Sequence, residues 1–272
     1  MVLLVVLGKV YAQAPVQPTL PQKTVNLALP TQGTSNCPTL TTGSNCVRNV
    51  PPGDATSFQH AINAATCGDT IVLAAGSTYS GNFTIPPTSC SGWIEIVSSA
   101  IAKLPSPGTR IEPSDAPDLA IISTPDVSPA ITFLPSANHW RLMGLEITTS
   151  YMSTSGTNYN LVVAGYLPNG TNISVVSQLP AYLIFDRVYI HGLPTTNTKR
   201  GILMNTQAIG IVDSYCDEIH YNANDSQCFA SSNGSGPFLI QNNFIQAGAE
   251  NIIFGSDPVS YTHLTLPTIY SV

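Results

Sequence analysis

A chain of 272 residues with 43% hydrophobic and only 9% charged side chains has the apolar mass for a substantial core, which excludes a disordered polymer. Its net charge of −6 and pI near 5.1 leave no basic surface for a phosphate backbone, so no nucleic-acid partner is expected; neutral, amphipathic or cation-bridged ligands fit better. The 22 prolines and 20 glycines, with abundant Ser, Thr and Asn, favour short strands joined by turns over helical bundles.

The chain opens with an apolar run from Val2 to Leu7, followed by Ala12-Gln13-Ala14, the small-x-small spacing of a signal-peptidase site. Residues 1–14 therefore read as a signal peptide, although the basic residues expected before the apolar run are missing. No later segment reaches the roughly 18 apolar residues of a membrane span. Residues 15–50, rich in Pro, Thr, Gln and Ser and without period, read as a linker or arm.

Six cysteines, an even number behind an export signal, point to disulfides. Their sequence-local couples Cys37–Cys46, Cys67–Cys90 and Cys216–Cys228 are the preferred pairing. Zinc would need tighter clusters with histidines nearby, and the sequence has none.

Order is expected from residue 51. Asp54 or Thr56 can cap a short helix whose Phe58, Ala61, Ile62 and Ala65 recur on one face, suited to covering the end of a fold. Thr70 to Leu73 and Asn82 to Ile85 follow as strand candidates around a turn containing Gly76.

Internal repeats come next. "LMGLEI" from Leu142, "IFDRVYI" from Ile184, "IVDSYCD" from Ile211 and "IQNNFIQ" from Ile240 each place Gly, Asp or Asn between two apolar segments. The turn positions Asp186, Asp213 and Asn242 lie 27 and 29 residues apart. A second track, "RGILMN" from Arg200, "DSQCFA" from Asp225 and "ENIIFG" from Glu250, recurs every 25 residues. This period, with two or three short strands per cycle, fits one coil of a parallel β-helix, whose coils stack at about 4.8 Å with inward side chains in ladders. Asp and Asn suit the bends because they tolerate left-handed backbone angles. Asn242 and Asn243 are read as a stacking ladder.

The opening "AINAATCGDTIVLAAGSTYSGNFTI" followed by these coils resembles secreted right-handed parallel β-helix proteins of the pectin-lyase-like superfamily. More narrowly, "DRVYIHG", "RGILMNT" and "DSQCFASSNGSGPFLIQNNFIQAGAENIIFG" resemble a bacterial branch of it. The resemblance covers about residues 52 to 257 and implies an all-β right-handed parallel β-helix with a short N-terminal capping helix, over 51–258. It also implies a secreted, periplasmic or cell-surface location and a glycan partner. A monomer is expected. The superfamily hosts lyases, hydrolases, esterases and non-catalytic adhesins, and fold alone does not choose among them. The N-T-D, D-D, G-H-G, R-I-K and W-I-D-H signatures of its common enzymes are absent. "VSYTHLTLPT", Val259 to Thr268, resembles the translation of a transposase adapter used in preparing sequencing libraries. Residues 259–272, His263 included, are therefore expected to be non-native, and the solenoid to be cut short at its C-terminal end.

In the 25-residue register Arg200, Asp225 and Glu250 would stack in three consecutive coils. Asp225 and Glu250 could then share a proton or a calcium ion beside the fixed charge of Arg200, the parts a uronate lyase needs. A hydrolase would use the same two acids as proton donor and as nucleophile or water activator. A self-neutralising ladder is the purely structural alternative. His220 and His191 are further acid–base candidates, and Lys199, Arg187, Tyr151 and Tyr159 candidate substrate contacts. About 15 extra residues between the coils at Leu142 and Ile184 must leave the solenoid, and their tyrosines can stack on sugars. The leading expectation is a pectate-lyase-like β-elimination on an acidic polysaccharide. A non-catalytic glycan-binding surface protein and a glycoside hydrolase are the alternatives.

Overall fold

The computed structural model describes residues 46–153, 156–167 and 170–255, and the backbone of Ser35–Asn36. The proposed signal peptide, Cys37, most of the proposed linker and the C-terminal tail with His263 lie outside the described residues.

The chain winds as a right-handed parallel β-helix, visiting three sheets in a fixed order on each coil. The first sheet contains Ser35–Asn36, Cys46–Asn49, Thr70–Leu73, Ile94–Ser98, Asn138–Met143, Ala181–Asp186, Ile209–Val212 and Phe238–Gln241. The second contains Thr78–Ser80, Ala120–Thr124, Leu145–Thr149, Tyr189–His191, Tyr215–Ile219 and Phe244–Ala247. The third contains Phe83–Ile85, Ile131–Phe133, Val162–Ala164, Arg200–Met204, Gln227–Ser231 and Glu250–Phe254. The pairings within these sheets are parallel. Two expectations shift. Thr78–Ser80 is a strand of its own inside the Gly76-containing connection, and the solenoid begins before residue 51, because Cys46–Asn49 pairs with Thr70–Leu73.

Alternation along each strand sends one apolar set inward. Ile71, Ile96, Leu142, Phe185 and Ile211 form one such ladder, and Val162, Ile202 and Phe229 another, all within a single continuous core. The predicted capping helix is Ala55–Ala64. Asp54 caps it, accepting from the Ser57 amide at 2.9 Å, and Phe58, Ala61 and Ile62 are buried. The Phe58 ring packs on Phe83 and Tyr79, closing this end of the core. The N-terminal coil is further fixed by a fully buried ion pair, Arg48 with Asp69 at 2.9 Å.

The bend between the first and second sheets is left-handed at Gly144, Arg187, Asp213 and Asn242, equivalent positions of four successive coils. Asp213 and Asn242 behave as expected, but in the coil between them and Gly144 the bend residue is Arg187, not Asp186. Asp186 ends the strand, and its buried carboxylate is held by Arg141 and by Arg187 Nε at 2.8 Å. Asn242 donates to Asp213 at 2.7 Å, and Asn243 accepts from the Ser214 amide at 2.8 Å, so both asparagines tie their coil to the one beneath.

Cys67–Cys90 and Cys216–Cys228 are disulfides as paired from the sequence. Cys46 is also disulfide-bonded. Among the described residues no helix is long and apolar enough to cross a membrane.

Candidate functional site

The outer face of the third sheet carries an apolar ladder of Val163, Leu203, Ala230 and Ile253, one residue from each of four coils. Ile202, Met204 and Phe229 therefore face the core and Leu203 faces out, a choice that alternation along the strand leaves open. A flap supplied by the extra residues stands at one side of this ladder. Tyr166 and Asn172 bridge its two arms, and the Ile173 carbonyl accepts from Asn233 Nδ2 at 2.9 Å. Gly165 starts the flap at φ +94°, where a Cβ would lie 2.2 Å from the Asn205 carbonyl oxygen; only glycine lets the flap lie this close.

Flap and sheet enclose a pocket of about 260 Å³. Leu203, Ala230 and Ile253 line its apolar part, Tyr166 and Asn172 stand on the flap side, and Arg200, Asp225 and Gln227 supply the polar part. Arg200 and Asp225 thus share one pocket, but not through the expected register. Arg200 pairs with Gln227, and Gln227 with Glu250. The stacked trio is Arg–Gln–Glu at separations of 27 and 23 residues, and Asp225 sits in the turn two residues before its strand, exposed. Glu250 Oε2 accepts from Gln227 Nε2 at 2.7 Å.

The expected Asp225–Glu250 carboxylate pair for calcium is therefore not formed by stacking. Among the described residues, no group of three or more acidic, histidine or cysteine side chains is placed to hold a metal. Arg200 is half-buried, makes no ion pair among the described residues, and its Nε is buried without an acceptor. Gln227 Oε1 is likewise buried without a donor. A guanidinium held in this way attracts an incoming carboxylate.

The other candidates lie elsewhere. Arg187 is committed to Asp186 and to the Pro105 carbonyl at 3.0 Å, so it is structural, not a substrate contact. Lys199 binds neighbouring coils through its backbone, accepting from the Gln227 amide at 2.9 Å. The Tyr151 hydroxyl packs against Gly156 within its own loop. Tyr159 is 54% exposed and meets Tyr221 edge-on at 6.4 Å. His220 donates from Nε2 to the Leu193 carbonyl at 3.0 Å, a tie between coils.

His191 belongs to a polar cluster on the outer face of the second sheet, where Glu146 and Tyr189 are register partners, as are His191 and Asp217. His191 Nε2 lies 3.0 Å from Glu146 Oε1 and Nδ1 lies 2.8 Å from the Gly192 carbonyl. Burial works to lower the His191 pKa, but these bonds and the charges of Glu146 and Asp217 outweigh it, and the net shift is upward. Burial raises Asp217 despite the Tyr189 hydroxyl and His191 nearby. With both ring nitrogens on acceptors, His191 has no free nitrogen for a substrate proton.

Gln227 escaped the sequence reading, as did the grouping of Glu146 and Asp217 around His191. The alternation "YIH" and "YCD" in successive coils was the available signal for the last.

No protein-family model matches the chain, and no curated protein matches it. Among solved structures it is similar to an alginate lyase from Paenibacillus sp. str. FPU-7, with 14% identity and a TM-score of 0.47 over 76% of this chain and 74% of that one. It is also similar to the pectin methylesterase from Aspergillus niger in deglycosylated form, with 13% identity and a TM-score of 0.43 over 89% and 75% of the two chains. The assignment as a β-helix rests on the strand registers themselves.

Proposed function

We propose that the protein is a secreted, glycan-directed β-helix that cleaves an acidic polysaccharide by β-elimination in the groove on its third sheet. The observation that carries this reading is Arg200, a half-buried guanidinium without a carboxylate partner among the described residues, facing a pocket whose one lining carboxylate is Asp225. Arg200 pairs with the uronate carboxylate and acidifies the adjacent C–H bond. Asp225 removes that proton, the electron pair forms the C4–C5 double bond, and the C4–O bond breaks. The departing oxygen takes a proton from the Tyr166 hydroxyl. Solvent then returns the proton from Asp225 to Tyr166.

Two-acid hydrolysis fits less well, because it needs a second carboxylate across the scissile bond and Glu250 is not in the pocket lining. The apolar ladder beneath the groove favours simple glycan binding as the second reading.

The test is incubation of the full chain with polygalacturonate, alginate and other polyuronates, following ultraviolet absorbance of the unsaturated product with and without chelator. Arg200→Ala is expected to lose both binding and turnover, Asp225→Asn to lose turnover while keeping binding, and chelator to leave the rate unchanged. Binding without product on every polymer would replace elimination by the second reading. Neither binding nor product would refute both.

A further inference from the structure

Gln227 lies in the wall of the Arg200 groove at 1% exposure, one coil after Arg200 and in register with it. Its amide has a fixed orientation. Nε2 is 2.7 Å from Glu250 Oε2, and an ionised carboxylate only accepts, so the NH₂ group points to Glu250 and the carbonyl oxygen away from it. That oxygen, Oε1, is buried and has no donor among the described residues. One coil back, Arg200 Nε is buried and has no acceptor among them. An orphan acceptor and an orphan donor thus occupy adjacent rungs without satisfying each other.

Neighbouring groups of the wall do not fill this gap. The Ser231 and Ser232 hydroxyls each lie 3.4 Å from Asn205 Oδ1, which also accepts from the Ser232 amide at 2.8 Å. Leu203, Ala230 and Ile253 offer no side-chain donor. A buried acceptor without a donor carries its full desolvation cost, so folded proteins keep few of them. In the wall of a ligand groove, the ligand is the source of the missing donor.

Resting on the reading of Arg200 as the carboxylate-binding group, we infer that Gln227 determines specificity. Its Oε1 accepts from a free ring hydroxyl of the uronate that pairs with Arg200, so the groove takes polyuronates that are not O-acylated at that hydroxyl. Adjacent rungs stand about 4.8 Å apart, so one ligand must bring an acceptor to Arg200 and a donor to Gln227 over a span of that order. A uronate ring carries both. An acyl group on the hydroxyl removes the donor and leaves Oε1 buried and unpaired, the situation in which hydroxyl-binding sites discriminate most strongly. Glu250 acts here as a positioning residue, because its hold on Nε2 sets the direction of the carbonyl.

The test is calorimetric titration of the full chain with polygalacturonate and with alginate, each unmodified and O-acetylated. Wild type is expected to bind the unmodified form about ten-fold tighter or more. Gln227→Met keeps the length of the side chain and deletes the acceptor. It should weaken binding of the unmodified form by about that factor and leave the acetylated form unchanged, so the preference disappears. Glu250→Gln, whose amide oxygen can still accept from Nε2, should keep the preference. Equal binding of the two forms by wild type, an undiminished preference in Gln227→Met, or a proportional loss on both forms would each overturn the inference and leave the reading of Arg200 standing. Wild type that binds neither polymer in either form would refute that reading and this inference together.

Discussion

The buried pair Arg48–Asp69 offers the sharpest test of how the N-terminal coil is held. Asp69 Oδ1 accepts from the Cys46 amide at 2.8 Å, and Oδ2 accepts from the Thr66 amide at 2.8 Å and from Arg48 Nη2 and Nε at 2.9 and 3.2 Å. Every partner of this carboxylate is a donor. Asp69→Asn keeps the shape but removes the charge, and either orientation of the new amide points its NH₂ at N–H groups. It also leaves the Arg48 guanidinium, at 0% side-chain exposure, without its carboxylate. Breaking a buried ion pair from one side costs about 3–5 kcal/mol. At roughly 2–4 °C per kcal/mol for a chain of this size, the melting temperature should fall by about 6–20 °C. Arg48→Met should cost less, because Asp69 keeps the Cys46 and Thr66 amides. The double variant should be less damaged than the sum of the singles, since the two residues share one interaction. Thermal unfolding of the four proteins by circular dichroism measures this. Additive effects, or an Asp69→Asn melt within about 2 °C of wild type, would refute the reasoning.

Three further outcomes are expected. The upward shift of His191 arises because its bonds to Glu146 and Gly192 and the charges of Glu146 and Asp217 outweigh burial, so its stabilisation is full below the unfolded histidine pKa of about 6.5. That contribution is lost as pH rises through the folded value. Glu146→Gln should flatten the resulting decline of melting temperature between about pH 6 and pH 9, and parallel curves for the two proteins would sink this account. The Cys216–Cys228 bridge spans 12 residues and should contribute about 3 kcal/mol through the unfolded chain. The double alanine variant should therefore melt about 6–12 °C lower, and an unchanged melt would contradict this. Gly165→Ala, whose Cβ would lie 2.2 Å from the Asn205 carbonyl oxygen, should displace the flap. Its polyuronate affinity should drop although Arg200 and Asp225 are untouched, and unaltered binding would show that the flap does not shape the groove.

Much of the solenoid is legible in the sequence because its causes are local. Inward apolar residues repeat once per coil, Asp213 and Asn242 mark left-handed bends, and Asp54 with Phe58, Ala61 and Ile62 spell a capped amphipathic helix. The sequence-local cysteine couples Cys67–Cys90 and Cys216–Cys228 were readable for the same reason.

Register was not legible, because it depends on where each turn ends, and turns vary in length without altering the inward pattern. A shift of two residues put Gln227 beside Arg200 and left Asp225 in the preceding turn. A shift of one made Arg187 the bend residue and buried Asp186 between two guanidinium groups. Contacts between distant segments were equally hidden: the flap over the third sheet and the packing of the His139 ring on Tyr182 in the next coil, centroids 4.4 Å apart, exist only once coils are stacked. The sequence by itself determined that the chain would coil, since this follows from repeated apolar segments and bend chemistry within a few residues; which face of the third-sheet strands points to the core was decided by the structure, because alternation fits either choice. Which polar groups meet on the outer surface was decided by the tertiary structure alone, because hydrogen bonding between coils, not spacing along the chain, sets the neighbours there.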